Sequence, residues 1–129
     1  MTQQQCRPLV VQSARIIDPI RELDATGTLI AQDGMVSVAG PEALNQGYPD
    51  GAEIIDGRGL ALIPGLVDAR VFMGEPGGEH RETIRSVSRA AAAGGVTSIL
   101  TMPDTNPVID DLALAQFVTR TARETAIVN

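Results

Sequence analysis

From Pro64 onward the chain alternates strand, helix, strand, helix and the start of a strand, and that order constrains its fold more than any other feature. Residues 66–72 read as a buried strand, followed by the loop Gly74-Glu75-Pro76-Gly77-Gly78. A helix is expected over 79–93. Glu79 and Glu82 in its first turn would face the positive dipole end, Ile84, Val87 and Ala91 would share one face, and Gly94-Gly95 would stop it. Residues 96–102 form a second β-branched strand ending at Pro103. After the loop 104–107, Asp110 or Asp111 can cap a second helix whose inner stripe is Leu114, Phe117, Val118 and Thr121. Ala126-Ile127-Val128 reads as the opening of a third strand. Such βαβ order requires a parallel sheet, covered on both faces or closed into a barrel. A closed barrel takes about 250 residues, so this chain reads as the front part of something longer, with apolar edges that need a partner. Homo-association is the expected way for the piece alone to cover them.

The first half follows a different grammar. Residues 9–17 are rich in β-branched side chains and stop at Asp18-Pro19. Segments 28–32 and 35–39 flank Asp33-Gly34, a dipeptide suited to a two-residue hairpin. Segments 52–55 and 60–63 flank Asp56-Gly57-Arg58-Gly59, which suggests a second hairpin, with a loop over 41–51 between the two. A small antiparallel sheet is expected over residues 1–63, and the opening βα units over 64–129.

Composition removes several classes of function. The formal charge is −6, which disfavours nucleic acid and anionic lipid as partners. Only Phe72, Phe117 and Tyr48 are aromatic, too few for base stacking. All ten basic residues are arginine, so lysine chemistry is excluded. No apolar run approaches the roughly 18 residues that span a bilayer, and Gln3, Gln4 and Gln5 stand where a signal peptide would turn apolar. Cys6 reads as an inert thiol, and a reducing, cytoplasmic setting is expected. No phosphate loop, cysteine-pair zinc motif, EF-hand loop or nucleophile elbow is present.

One stretch carries a specific likeness. It runs Ile63-Pro64-Gly65-Leu66-Val67-Asp68, Glu75-Pro76-Gly77, Glu79-His80-Arg81-Glu82, then Arg89-Ala90-Ala91-Ala92-Ala93-Gly94-Gly95-Val96-Thr97 and Met102-Pro103-Asp104-Thr105-Asn106-Pro107-Val108-Ile109-Asp110. In that order these residues resemble the dihydroorotase family of the amidohydrolase superfamily. Allantoinases and hydantoinases share the opening Pro-Gly-Leu-Val-Asp pattern and fit the later stretches less well. The resemblance implies an α/β fold: the N-terminal portion of a (β/α)8 TIM-type barrel, preceded by strands of a small β-sandwich domain. It also implies reversible opening of the dihydroorotate ring to N-carbamoyl-aspartate in pyrimidine biosynthesis, by a zinc-activated hydroxide.

The functional positions depart from that pattern. Where the family's first barrel strand ends His-x-His-x-Arg, this chain has Arg70-Val71-Phe72-Met73-Gly74. Asp68, Arg70 and Phe72 are expected to share a face by strand alternation. A guanidinium stays protonated and offers a metal no lone pair, and a phenyl ring offers none either. Gly74 replaces the arginine that implies a carboxylate clamp, and Asp104 replaces an asparagine in the Met-Pro-Asn loop. No metal site, no cofactor and no catalytic residue are therefore expected in this chain, although the family uses zinc.

Each remaining candidate has a plainer reading beside the functional one. Arg70 could anchor an anionic ligand, or pair with Asp68 or another carboxylate. Phe72 reads as core filling, His80 as a helix-start or surface residue, and Glu75 and Glu79 as loop and first-turn groups. Asp104, Thr105 and Asn106 form a polar loop at the C-terminal end of a barrel strand, where Asp104 and Asn106 are candidate substrate contacts. Three functions follow: a dihydroorotase-type enzyme for a small-molecule substrate, inactive as this chain; a non-catalytic homologue serving as structural partner of aspartate transcarbamoylase; or a relative retuned to another ligand, with Arg70 as anchor.

Overall fold

The computed structural model describes residues 7–45 and 47–129, so Cys6 lies outside the described residues. Contacts divide the chain into two compact units, Met1–Pro64 and Gly65–Asn129.

In the first unit, β1 (Leu9–Asp18), β2 (Leu23–Gln32) and β3 (Met35–Gly40) form an antiparallel meander. The β2–β3 turn is the expected one. Asp33 has φ 53° and Gly34 φ 76°, the positive pair that a two-residue hairpin needs and that glycine adopts without strain. β2 begins well ahead of residue 28, because Asp18 closes an earlier turn: its carboxylate accepts the N–H groups of Ile20 and Arg21. Asp24 and Thr26 then lie on the exposed side of an alternating strand, with Asp24 paired to Arg15 at 2.6 Å. That guanidinium holds the Asp24 carboxyl below its ordinary value.

The expected second hairpin is not formed. β4 (Glu53–Asp56) and β5 (Ala61–Leu62) both run parallel to β1, against Leu9–Gln12 and Arg15–Ile16 in turn, and make the sheet mixed rather than antiparallel. The reason lies between them. Gly57 N–H donates to the Gln12 carbonyl and Arg15 N–H to the Leu60 carbonyl, while Asp56 accepts the N–H of Arg58. The turn steps over the β1 bulge, where Ser13 has φ 59°, and the chain continues in the same direction as an interrupted edge strand. After β3, residues Pro41–Asn45 form a short 3-10 helix that buries Ala43. Val10, Ala14, Ile16 and Ile30 complete this core.

In the second unit, β6 (Leu66–Val71) and β7 (Val96–Thr101) pair in parallel, joined through α1 (Ile84–Ala93), and α2 (Leu112–Thr125) follows. α1 starts later than the sequence suggests. Thr83 is the N-cap in a reciprocal box with Ser86, so Glu79 and Glu82 precede the helix. Two carboxylates lie at its positive end: Glu82, as expected, accepts the Thr83 N–H at 3.3 Å and the Ser86 hydroxyl, and Glu75 accepts the Ile84 N–H at 2.7 Å. Gly94 caps the other end as expected. Ile84 and Ser88 form the buried face. Asp111 caps α2 by accepting the Leu114 N–H, and the stripe Leu114, Phe117, Val118 and Thr121 is half-buried.

Two further expectations are corrected. β6 is not buried: Leu66 is 49% and Val67 64% exposed, because the strand has β7 as its one neighbour. Ala126-Ile127-Val128 is not a strand either. Ala126 closes the last turn of α2 on the Ala122 carbonyl, and Ile127 N–H bonds the Ser88 hydroxyl. Only Asn129 reaches the ladder, donating to the Thr97 carbonyl and accepting from Ile99 N–H. No helix among the described residues is long and apolar enough to cross a membrane.

One buried group in the first unit lacks a partner. Thr28 is fully buried, and its hydroxyl makes no hydrogen bond. Leaving such a group unpaired costs about 1–3 kcal/mol, so Thr28→Val, which keeps the shape, is expected to raise the urea midpoint of this unit. A lowered midpoint would show that the hydroxyl is satisfied in solution.

Candidate functional site

Parallel pairing sends the C-terminal ends of β6 and β7 to the same end of the sheet, and the loops that leave them line an open cavity of about 240 Å³. Its walls include Phe72, His80, Arg81, Asp104, Thr105 and Asn106. The loops are tied together by the Asn106 N–H, which donates to the Pro76 carbonyl at 3.1 Å. Gly77 packs so closely on the Asn106 carbonyl that a Cβ would overlap it. Thr105 is 6% exposed, and its hydroxyl donates to the Pro107 carbonyl at 2.8 Å, within its own loop.

Asp104 and Asn106 thus come together at the cavity, and Arg70 does not join them. Arg70 is exposed and makes no ion pair among the described residues; its main-chain N–H, not its guanidinium, bonds the Asp68 carboxylate at 3.0 Å. The expected Arg70–Asp68 side-chain pairing is therefore not formed. Phe72 is not core filling but a half-buried wall of the cavity, with the Arg81 guanidinium carbon 5.0 Å from its ring centroid.

Arg81 is the residue that sequence reasoning missed. The expected helix over 79–93 includes it, whereas Thr83, a strong N-cap type, sets the first helical residue at Ile84, five residues later, and leaves Arg81 in the loop. His80 is exposed and also lines the cavity. Glu79 points to its own loop, accepting the Gly77 N–H at 2.9 Å. That bond is the main reason its carboxyl lies below the ordinary glutamate value, with nearby His80 adding to it.

These residues by themselves do not fit zinc. Neither the Arg70 guanidinium nor the Phe72 ring offers a metal a lone pair, and among the described residues no three carboxylate, imidazole or thiol groups gather in one place. A larger concavity, about 350 Å³, follows one face of α2 past Leu112, Gln116 and Arg120, with no imidazole, carboxylate or thiol in its lining. What the loop cavity can do chemically is bind: it presents a guanidinium, a carboxylate, an amide and an imidazole.

Gly74 explains why this end of β6 is closed. It has φ 77°, and a Cβ there would overlap the Glu82 carbonyl. Its own carbonyl accepts the Gly78 N–H at 2.6 Å. Gly74→Arg is therefore expected to lower stability by about 1–3 kcal/mol rather than restore a clamp, read from denaturant unfolding; an unchanged midpoint would show that the loop opens freely. The Glu79 carboxyl, depressed when folded, supports the loop above its unfolded value and releases Gly77 as pH falls through the folded one. The Gly77 amide proton is accordingly expected to titrate with a midpoint below that of an ordinary glutamate, and Glu79→Gln to abolish the transition.

Comparison with known proteins agrees with this architecture. The family model described as dihydro-orotase-like matches residues 59–129, more than half of the chain. A dihydroorotase of Pelobacter propionicus is 46% identical over 94% of this chain, and one of the Wolbachia of Brugia malayi is 45% identical over 91%. The chain spans only 28% and 27% of the length of those two relatives. Among solved structures, an L-hydantoinase of Arthrobacter aurescens superposes with a TM-score of 0.80 at 23% identity, over 94% of this chain and 26% of its own length. A D-hydantoinase of a Thermus species gives 0.67 at 24%, over 92% and 24%. These neighbours are barrel amidohydrolases, and the strands of the first unit fit the small β-sandwich domain of that fold. The chain belongs to the dihydroorotase-like family.

Proposed function

We propose that this chain is the opening portion of a dihydroorotase-type protein, with residues 1–63 contributing to its small β-domain and 64–129 supplying the first βα units of its barrel. In this reading, its own residues do not carry the ring-opening chemistry between dihydroorotate and N-carbamoyl-aspartate. The observation that supports it most directly is Phe72: the second imidazole position holds a phenyl ring packed beneath Arg81 at 5.0 Å. The first holds Arg70, exposed and without a donor pair for a metal.

Hydrolysis of a ring amide near neutral pH needs an activated water and a polarised carbonyl. Asp104 and Asn106 can contact a substrate from the loop after β7, but neither imidazole position supplies a metal ligand. The same substitutions favour a non-catalytic role, in which the barrel face serves as a structural partner of aspartate transcarbamoylase. The exposed Leu66, Val67 and Leu100 give the second unit apolar surface for such a contact or for association with a second copy.

Dihydroorotate turnover by the 129-residue chain with zinc supplied is expected to stay at the uncatalysed rate. Turnover that a chelator abolishes would overturn the reading.

A further inference from the structure

We infer that the cavity between the loops after β6 and β7 binds a small molecule of the amino-acid class: a carboxylate held by Arg81 and an N–H donor held by Asp104. The inference deepens the reading of the 104–106 loop as a ligand contact and names the ligand's chemistry.

Two opposite charges line this cavity without meeting. Among the described residues the ion pairs are Arg15–Asp24, Arg21–Glu42 and Arg58–Asp56, so neither Arg81 nor Asp104 is engaged. The Arg81 guanidinium carbon lies 5.0 Å from the Phe72 ring centroid, within cation–π range, and the group's N–H donors form no ion pair among the described residues. Asp104 offers acceptor oxygens only, and Asn106 can either donate or accept. Thr105 takes no part, since its hydroxyl is used within its own loop.

A dicarboxylate would set a second anion against Asp104, and a simple cation would meet Arg81. A ligand carrying both polar ends satisfies both walls. The volume, about 240 Å³, lies under the roughly 300–1,000 Å³ of sites for drug-sized ligands and suits a molecule of few heavy atoms. The Asn106–Pro76 bond and the close Gly77–Asn106 packing join the two loops that line the cavity.

Two probes that differ only in the α-ammonium group test this: L-asparagine and succinamate, each titrated into the isotope-labelled chain and followed on the Gly77 and Asn106 amides. L-Asparagine is expected to bind saturably and succinamate about 10-fold more weakly, the scale of one charge-assisted hydrogen bond. Arg81→Gln is expected to weaken both probes about 10-fold. Asp104→Asn should remove the difference between the probes, and Arg70→Gln should leave both affinities unchanged. All three side chains are exposed, and matching thermal midpoints will show that each variant is folded. Equal affinity for the two probes, wild-type binding by Arg81→Gln, loss of binding in Arg70→Gln, or no saturable shift with L-asparagine would each overturn the inference. Zinc-dependent turnover accompanied by Arg81-dependent binding would defeat the non-catalytic reading alone and leave this one standing.

Discussion

The parallel pairing of β6 with β7 is the constraint on which the second unit depends. Parallel strands cannot be joined by a hairpin, so the chain must travel back along the sheet, and α1 is that return path. Once the crossover is made, the loops after both strands emerge at one end. The Asn106–Pro76 hydrogen bond then joins segments thirty residues apart in sequence into the walls of one cavity. Everything chemical in this unit follows from that juxtaposition. Glu75 shows the coupling: it leaves β6 in the loop, yet its carboxylate satisfies the first N–H of α1 and anchors the loop to the helix that created it.

Much of this was legible from local chemistry. Asp33-Gly34 specifies its hairpin because both residues tolerate positive φ, and the sheet follows. The strands and helices of the second half were legible from periodicity, with Asp111 and Gly94 marking two of the helix ends. The failures share a cause: each turned on a partner that sequence cannot display. Asp56-Gly57-Arg58-Gly59 looks like a hairpin turn, but the Gln12 and Arg15 main-chain groups of β1 carry the segment past the bulge in its original direction. The α1 start was placed too early because acidic residues alone suit a first turn, whereas hydroxyl bonds between Thr83 and Ser86 set the boundary. Arg81 was lost as a site residue by that same displacement.

The Ala90–Ala93 run forms the last turn of α1, and the glycines after it terminate the helix. The residues that follow β6 are physically interlocked. Gly74 permits a positive φ that lets its carbonyl bond Gly78 and brings the Glu82 main chain against it, which seats the following residues, including Arg81, near Phe72. Phenyl and guanidinium then form one wall. A substitution at any one of these positions would meet a surface shaped by the others.

That interlocking bears on what kind of site the cavity is. A guanidinium and a carboxylate buried together would be expected to pair. Here Arg81 and Asp104 line the same space without forming an ion pair, one 5.0 Å from an aromatic ring centroid and the other on a loop whose neighbouring hydroxyl and amide are already bonded. Their exposure keeps the cost of separation low, because water screens both charges. The gap between them is consequently a stable feature of the folded loops rather than a pair waiting to close. A site of this kind selects its ligand by the spacing and sign of two fixed charges, a form of recognition that needs neither the metal nor the reacting ring of the parent fold.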